Sequence, residues 1–263
     1  MQWVGYQQRY LADRSQQKAV VKSRRIGFSE VVSFERALRA LGIEMIPGKP
    51  IRAVKPVSQN IVSASFDQSK AVLKRIALHI NALSVAFSNQ KVIATSNATL
   101  IQLANGAQIR AYSTNPRSMR GFEGDVLLDE FAFVPDQDAV WAAISPNARA
   151  NLGNRENYQI VVVSTPLGDG NRFHEIIKGR YSNAFSQHKV TIHDAVRDGF
   201  PITRENERGE TVTATVDDWR AEASDSVVFS QEYECFPFGT MIATPRGHVP
   251  IEDLRVGECV LTH

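Results

Sequence analysis

Short apolar runs alternate along the chain with longer segments in which apolar residues recur at the helical period. The runs Lys18–Lys22, Asp125–Leu128 and Gln159–Ser164 predict buried strands, because valine, isoleucine and leucine dominate them. Between these runs, Ser29–Leu41 and Ile61–Leu83 predict helices. This alternation predicts an α/β fold with a mostly parallel central sheet flanked by helices.

Weaker patterns predict the elements that connect these segments. Further strands are predicted over Ile51–Val57, Lys91–Ala94, Thr99–Leu103 and Gln108–Ser113. The dipeptide Asn105-Gly106 lies between the last two strands and predicts a tight hairpin turn. Asn171 predicts the N-terminal cap of a helix over Phe173–Gly179, and the polar stretch 203–216 is predicted to be a loop.

The bulk composition excludes several classes of protein. With 263 residues, of which 43% are hydrophobic, the chain can bury a sizeable core, and a net charge of +2 is too small for a general polycation. The two cysteines form no Cys-x-x-Cys pair and the six histidines show no ligand spacing, which argues against a zinc site. No apolar run approaches the roughly 20 residues of a membrane span, and the first residues do not form a signal peptide. We therefore expect a soluble protein of a reducing compartment, with no membrane partner.

Basic residues are concentrated in the first part of the chain. Residues 1–55 contain eleven lysines and arginines but only four aspartates and glutamates. Such an excess favours a polyphosphate ligand or nucleic acid as the partner of this region. For the basic residues outside the first strand-to-helix connection, a solvated helix face explains the charge equally well, and the pattern leaves both interpretations open.

The segment Lys22–Ser29 connects a predicted strand to a predicted helix, which is where phosphate-binding loops occur. Backbone N–H groups and the helix N-terminus would then point at the anion. The candidate nucleotide-binding residues of this loop are Lys22, Ser23, Arg24, Arg25, Ile26, Gly27, Phe28 and Ser29. The strict signature G-x-x-x-x-G-K-[ST] fails twice, because Lys22 replaces its first glycine and Phe28 its lysine. A basic strand end followed by a capped helix is the alternative interpretation.

Charged side chains of this loop could replace the missing lysine. Lys22 has a flexible stem that could reach back over the loop to the β- and γ-phosphates. Arg24 and Arg25 add fixed charge, and one of them, with Arg24 as the candidate, could serve as an arginine finger in cis. The hydroxyl of Ser29 could ligate Mg²⁺ at the start of the helix.

A second candidate site lies at the end of the apolar strand Asp125–Leu128, where Asp129 and Glu130 are adjacent. Successive side chains of a strand point to opposite sides, so the two carboxylates would have different roles. We assign Asp129 to Mg²⁺, and Glu130 to the polarisation of the attacking water as general base. Two exposed acids at a strand end are the alternative, but their position downstream of a candidate phosphate loop favours the catalytic interpretation.

Two further motifs extend the candidate site. Ser164 and Thr165 end the third buried strand, where they could sense the γ-phosphate, although a plain strand-to-loop cap is the alternative. Arg117 and Arg120 lie on the loop that enters the Asp129 strand. These arginines could contact phosphate or DNA, and a surface loop with solvated arginines is equally compatible with the pattern.

Five segments together resemble the ATPase domain of tailed-phage large terminase subunits, with the Mu-like prophage type nearest. These segments are Tyr6–Asp13, Lys22–Ser29, Asn115–Gly121, Asp125–Glu130 and Ser164-Thr165, and the resemblance covers roughly residues 5–234. The early lysine of the loop is similar to that of lambda-type large terminases, which accounts for Phe28. The resemblance implies a P-loop NTPase fold that uses ATP and Mg²⁺. It also implies that Gln7 reads adenine and that Ser164-Thr165 couples hydrolysis to movement.

The same resemblance implies a motor that moves double-stranded DNA into a procapsid in the cytoplasm of a bacterial host. The implied partners are a portal and a small terminase subunit, and the implied assembly is a homo-oligomeric ring. The family's nuclease domain is not expected in this chain, and no nuclease activity is predicted, because residues 1–234 offer no obvious carboxylate cluster for two metals. Since Phe28 breaks the motif, the alternative is a degenerate P-loop DNA-binding or assembly module without ATP turnover.

The composition changes at Cys235, where glycine, proline and short β-rich runs begin to crowd together. Residues 1–234 are predicted to be one domain, whereas residues 235–263 resemble the N-terminal splicing block of an intein, the opening of an incomplete all-β Hint unit. That resemblance implies that the Cys235 sulfur attacks the Glu234 carbonyl and forms a thioester. The later splicing blocks are missing, so the chain is not expected to splice alone, and a C-terminal intein fragment would be its partner. A buried cysteine on a β-rich end is the alternative.

Overall fold

A computed structural model describes residues 2–87, 92–119, 123–151, 158–168, 170–178, 185–205, 209–223, 229–234, 241–250 and 258–261. Its centre is an eight-stranded sheet. In spatial order the strands are β10 (Ser186–Val190), β1 (Gln17–Lys22), β9 (Ile160–Ser164), β8 (Asp125–Asp129), β4 (Gln59–Ser63), β7 (Gln108–Tyr112), β6 (Leu100–Leu103) and β5 (Ile93–Ser96). The first six strands run parallel, and only the pairs that involve β6 are antiparallel. The predicted, mostly parallel sheet is therefore confirmed.

Helices cover both faces of this sheet. They are α1 (Gly5–Ala12), α2 (Phe28–Leu41), α3 (Phe66–Phe87), α4 (Gln137–Asn151), α5 (Arg172–Ile177), α6 (Ile192–Arg197) and α7 (Val216–Glu222). Val20 and Val161 belong to one hydrophobic core with α1, α2 and α3, whereas Val21 and Val162 belong to a second core with α4 and α5. Alternate side chains of each strand are thus buried on opposite faces. None of the helices described is long and apolar enough to cross a membrane.

The long apolar patterns predicted their elements correctly. β1, α2, β8 and β9 occupy their predicted segments to within one residue. The hairpin about Asn105-Gly106 is confirmed, because β6 and β7 pair in antiparallel fashion on either side of it. Asn171 is the N-terminal cap of α5, and its side-chain oxygen accepts from the His174 N–H at 3.0 Å.

The predicted helix over Ile61–Leu83 is wrong at its start. Gln59–Ser63 forms the fully buried strand β4, and α3 begins only at Phe66. This strand lacks the apolar pattern of a buried strand, because several of its side chains are polar. Asn60 Nδ2 donates to two backbone carbonyls at and before the start of β8, at 3.1 and 2.9 Å. The burial of such residues depends on partners far along the chain, which no local pattern reveals.

Two shorter predictions are also corrected. Of the predicted strand Ile51–Val57, only Arg52–Ala53 (β3) pairs, with Ile43–Glu44 (β2). The stretch 203–216, predicted to be a loop, contains a short hairpin. Its strands are β11 (Thr203–Glu205) and β12 (Thr211–Thr213). Both pairs are only two or three residues long, so neither produces a periodic pattern in the sequence.

Several basic residues of β1 and α2 lie in a buried ionic network. Glu35 is contacted by Lys18 Nζ and by Arg36 Nη2, each at 2.7 Å. Asp125 accepts from Arg36 Nη1 at 3.2 Å and from Arg39 Nη2 at 2.9 Å. Burial alone would raise the pKa of Glu35, but the charges of Lys18 and Arg36 hold it at about 2. Lys18 and Arg36 are therefore buried charges of the core and do not lie on a solvated helix face.

The described part of the C-terminal tail is a β-hairpin. Its strands are β13 (Met241–Thr244) and β14 (Gly247–Pro250). The Leu261 N–H donates to the Ala243 carbonyl at 2.8 Å, and Arg246 pairs with Glu258 at 2.6 Å, so the last described segment returns to the hairpin. Cys235 lies outside the described residues, and the relation of this tail to a Hint unit stays a prediction.

Candidate nucleotide site

The connection between β1 and α2 is a tight loop at the carboxyl edge of the sheet. It starts at Lys22, the last residue of β1, and ends at Phe28, the first residue of α2. Arg25 and Gly27 both have left-handed backbone conformations, with φ of 59° and 72°, which turn the chain within a few residues. The loop therefore has the strand–loop–helix order that a phosphate cradle requires, ending at the N-terminus of α2.

Helix α1 supports this loop. The Tyr6 hydroxyl donates to the Ile26 carbonyl, and Gln7 Nε2 donates to the Gly27 carbonyl at 3.2 Å. The other amide atom of Gln7, Oε1, accepts from the Val4 N–H at 3.1 Å, and the residue is only 6% exposed. Gln7 thus supports the loop, while each of its amide atoms keeps a second hydrogen-bonding position, so its contact with adenine stays a prediction.

Two candidate residues of the loop have their side chains in the core. Ile26 and Phe28 are each 1% exposed. The centre of the Phe28 ring lies 5.8 Å from that of Tyr6 and 5.3 Å from that of Tyr10. An aromatic core residue therefore occupies the position of the missing lysine. Because the side chains of Ile26 and Phe28 are buried, only their backbone groups are available to bind a nucleotide.

The structure brings the candidate lysine and the candidate base together. Lys22 is 4% exposed, and its Nζ donates to Glu130 Oε1 at 2.6 Å. The other carboxylate oxygen of Glu130 accepts from the Thr165 N–H at 3.3 Å. Glu130 itself has a φ of 49°, a sparsely populated conformation for a residue with a side chain. Strain of this kind persists only where the surrounding contacts fix the residue, as they do at this carboxylate.

Asp129 is buried beside this pair, which rules out the interpretation of two exposed acids. Burial, together with the negative charge of Glu130, raises the pKa of Asp129 to about 6, and the Ser63 hydroxyl lies 3.4 Å from its Oδ2. A bound cation would oppose both effects, because it favours the charged form of the carboxylate. Carboxylate and hydroxyl oxygens are ligands that Mg²⁺ prefers, so the chemistry of Asp129 suits this metal, and Ser29 offers a hydroxyl in the first turn of α2.

The end of β9 contacts the segment that follows the candidate base. The Ser164 hydroxyl accepts from the Ala132 N–H at 3.1 Å. Thr165 is fully buried, and its hydroxyl has no hydrogen-bond partner within the described part of the chain. Since the Thr165 N–H also holds Glu130, Ser164 and Thr165 join β9 directly to the residues around the candidate base.

One contact of the loop was not indicated by the sequence. The Arg24 N–H donates to the Glu232 carbonyl at 2.8 Å, and Arg24 Nε lies 2.5 Å from Glu232 Oε2. Burial raises the pKa of Glu232, and the nearby Glu130 carboxylate adds to this rise while Arg24 and Lys22 oppose it. Glu232 therefore lies among the charges of the candidate site. No local pattern marks it, because it is far from the loop in sequence.

The remaining candidate residues have varied environments. Ser23 is buried, whereas Arg25 is exposed on the loop. Arg117 is exposed on a 3-10 turn before β8, and Arg120 lies outside the described residues. The structure therefore gathers the loop and the two carboxylates at one edge of the sheet, but it does not extend this cluster to Arg117.

Solved structures of phage large terminases share this fold. The ATPase domain of the Thermus phage P74-26 large terminase matches with a TM-score of 0.60 at 20% identity, covering 89% of this chain and 93% of that one. The large terminase of a thermophilic bacteriophage, solved in complex with ADP, matches with a TM-score of 0.56 at 9% identity, covering 92% of this chain and 54% of that one. At such low identity these similarities establish the fold alone.

Two relatives from Mu and a Mu-like prophage also match in sequence. The probable terminase large subunit gp28 of Escherichia phage Mu is 26% identical over 249 residues, covering 89% of this chain and 43% of that protein. The Mu-like prophage FluMu protein gp28 of Haemophilus influenzae is 29% identical over 203 residues, covering 74% and 37%. The chain thus spans less than half the length of these relatives, and the predicted resemblance to Mu-like large terminases is confirmed. Residues 19–236 match the family model "Terminase large subunit, T4likevirus-type, N-terminal", and the chain belongs to this family.

Proposed function

We propose that this chain is the ATP-hydrolysing motor domain of a large terminase that packages double-stranded viral DNA. The observation that carries the proposal is the 2.6 Å contact between Lys22 and Glu130, beside the buried carboxylate of Asp129. This contact brings together a cation for phosphate, a ligand for Mg²⁺ and a base for water. They lie at the carboxyl ends of the parallel strands, where α/β sheets bind ligands. The proposal includes a homo-oligomeric ring, a portal and a small terminase subunit as partners, and the cytoplasm of a bacterial host.

Entry of the ATP phosphates would separate Lys22 from Glu130. The phosphates compete for the Lys22 ammonium, which can leave the carboxylate by rotation of its flexible side chain. Glu130, still held by the Thr165 N–H, then accepts a proton from the water whose oxygen attacks the γ-phosphorus. The bond between the γ-phosphorus and the bridging oxygen breaks, and ADP departs with that oxygen. In the resting chain the base is thus paired with Lys22 until nucleotide arrives.

Other residues would complete the site. Asp129 and Ser29 would hold Mg²⁺, which neutralises phosphate charge when it is bound. Arg24 would exchange Glu232 for the γ-phosphate and act as an arginine finger in cis. Ser164-Thr165 would transmit the change at the base into β9, because this dipeptide touches both the base and the segment that follows it.

Replacing Lys22 by alanine should weaken ATP binding about 10- to 100-fold, because a hydrogen bond to a charged group contributes about 1.5–3 kcal/mol. Titration calorimetry of the full chain with a non-hydrolysable ATP analogue and Mg²⁺ measures this affinity. Lys49→Ala is the matched control, since it removes the same charge from an exposed position. Equal affinity of the wild type and Lys22→Ala would overturn the displaced-lysine mechanism.

We also propose that residues 235–263 are the N-terminal piece of an intein. Two observations support this proposal: the family match ends at residue 236, and the described residues of the tail form a hairpin of their own. The Cys235 thiol would attack the Glu234 carbonyl, so that the acyl group moves to sulfur and the amine of Cys235 is released. A free thiol could then exchange with the thioester and liberate residues 1–234.

A complementary C-terminal intein fragment and a small thiol should together cleave the chain between Glu234 and Cys235. Mass spectrometry would then detect residues 1–234 with the added thiol as a thioester. Cys259→Ala removes an exposed cysteine outside the junction and should still be cleaved, whereas Cys235→Ala should stay intact. An intact wild type, or equal cleavage of Cys235→Ala, would contradict the intein proposal.

A further inference from the structure

Three basic residues of the first part of the chain remain unpaired on the surface. Of the eleven lysines and arginines in residues 1–55, the structure places Arg25 on the phosphate loop and seven others in ion pairs, namely Arg9, Arg14, Lys18, Lys22, Arg24, Arg36 and Arg39. The other three are Lys49, Arg52 and Lys55, which are exposed and form no ion pair within the part of the chain that the structure describes. Outside the phosphate loop, the unpaired positive charge of this region is therefore concentrated on one short segment.

This segment contains the β2–β3 hairpin, and we call residues 43–57 the basic hairpin. Residues 48–55 are all exposed, and no aspartate or glutamate occurs between Glu44 and Asp67. Glu44, at the base of the hairpin, pairs with Arg14. The three cations thus have no carboxylate of the hairpin as a partner, and a cluster of one sign attracts a polyanion.

Backbone contacts fix the basic hairpin to the C-terminal end of α2. The Val54 N–H donates to the Gly42 carbonyl at 2.8 Å, and the Val57 N–H donates to the Arg39 carbonyl at 3.0 Å. Gly42 has a φ of 75°, and a Cβ at this position would lie 2.6 Å from the Val54 carbonyl oxygen. Glycine therefore allows the hairpin to pack closely on the end of the helix. The hairpin is held as an extension of α2.

Helix α2 joins the basic hairpin to the phosphate loop. The helix begins at the loop and ends at the hairpin, and its 14 residues span about 21 Å. A ligand at the hairpin therefore does not overlap with a nucleotide at the loop. Since the helix is continuous, a displacement of the loop upon nucleotide binding would also move the hairpin. This placement suits the contact of a motor with the substrate that it moves.

We infer that the basic hairpin contacts the phosphate backbone of double-stranded DNA, an inference that rests on the proposed function. Lysine and arginine side chains bind phosphate oxygens, and each such contact releases a counterion from the duplex. Contacts of this kind are independent of base sequence, as a motor that moves along a whole genome requires. A membrane surface suits the hairpin less well, because segments that bind anionic lipids carry about four to eight lysines and arginines.

The test measures the binding of the full chain to a short fluorescein-labelled DNA duplex by anisotropy, at several KCl concentrations. The triple hairpin variant changes all three cations to glutamine, as Lys49→Gln, Arg52→Gln and Lys55→Gln. It should bind the duplex at least about tenfold more weakly, and the slope of log affinity against log salt should fall in magnitude by about 3, because each phosphate contact contributes about 0.9. Lys49→Arg with Lys55→Arg keeps the charge and should keep the wild-type slope.

A matched control removes the same amount of charge from exposed positions elsewhere. The control triple is Lys74→Gln, Lys189→Gln and Arg197→Gln, on α3, β10 and α6, and it should keep the wild-type slope. Wild-type affinity and slope in the triple hairpin variant would overturn the inference. An equal change in the control triple would overturn it too, since net charge alone would then explain the effect. Wild-type binding to phosphatidylserine vesicles but not to the duplex would overturn it in favour of a membrane surface.

Titration calorimetry with Mg²⁺ and a non-hydrolysable ATP analogue separates this inference from the proposed function. The triple hairpin variant should bind the analogue as the wild type does, because α2 separates the hairpin from the loop. Loss of the analogue in this variant would overturn the hairpin as a separate contact. Normal binding of the analogue with unchanged DNA binding would overturn the inference and leave the proposed nucleotide site standing. A wild type that binds no analogue would overturn the proposed ATPase, while the anisotropy series would still decide the contact with DNA.

Discussion

Glu130→Gln is expected to lower the rate constant of ATP hydrolysis by about 10²–10⁴-fold, the contribution that a general base makes. Glutamine keeps the size of the side chain and can still accept from the Thr165 N–H, but it cannot take the proton of the attacking water. Since Lys22 then loses its carboxylate partner, ATP affinity should equal or exceed that of the wild type. Phosphate release with double-stranded DNA present and calorimetric titration of ATP measure the two quantities separately.

The matched control for this change is Glu123→Gln, because Glu123 is an exposed carboxylate just before the same strand. This control should hydrolyse ATP at the wild-type rate. Hydrolysis that is unchanged in Glu130→Gln would show that another group is the base. A wild-type chain that binds ATP but does not hydrolyse it under any condition would favour the degenerate module.

The sequence predicted where the charged groups of the candidate site lie, but it predicted less well where the residues that contact and support them lie. Lys22, Asp129 and Glu130 stand at the ends of apolar runs, and parallel strands bring their carboxyl ends to one edge of a sheet. Gln7 was identified by resemblance, but its hydrogen bonds depend on how α1 packs against the loop. Glu232 could not be found at all, because its place beside Arg24 is set by the tertiary course of the chain.

Dependence on partners far along the chain also explains the errors in the predicted fold. β1, β8 and β9 are apolar enough to be recognised from their own residues, whereas β4 carries polar side chains that are buried only because β8 supplies their partners. The sequence also could not separate Arg36 from an arginine on a solvated face. Arg36 can be buried because its charge is paired with Asp125, which lies on a strand far along the chain. Helical periodicity indicates which face of α2 is apolar. It does not indicate which charged side chains of α2 form ion pairs with residues of other elements.

Asp125→Ala is expected to lower the free energy of unfolding by about 3–5 kcal/mol, because removing one member of a buried ion pair leaves the other charge uncompensated. Asp125 is fully buried and accepts from Arg36, from Arg39 and from the Gln159 N–H, the last at 2.7 Å. Asp125 also begins the strand that ends in Asp129. A loosened start of β8 should therefore weaken Mg²⁺-dependent nucleotide binding as well. Urea unfolding followed by circular dichroism measures the change in stability.

The control for this change is Asp138→Ala, which removes a carboxylate that pairs with Arg172 at 2.7 Å but has a side chain 76% exposed. Water and salt screen such a pair, so its loss should cost no more than about 1 kcal/mol. The difference in the free energy of unfolding between the two variants then measures the cost of leaving a buried charge without its partner. Equal losses in Asp125→Ala and Asp138→Ala would show that the network does not hold α2 to the sheet.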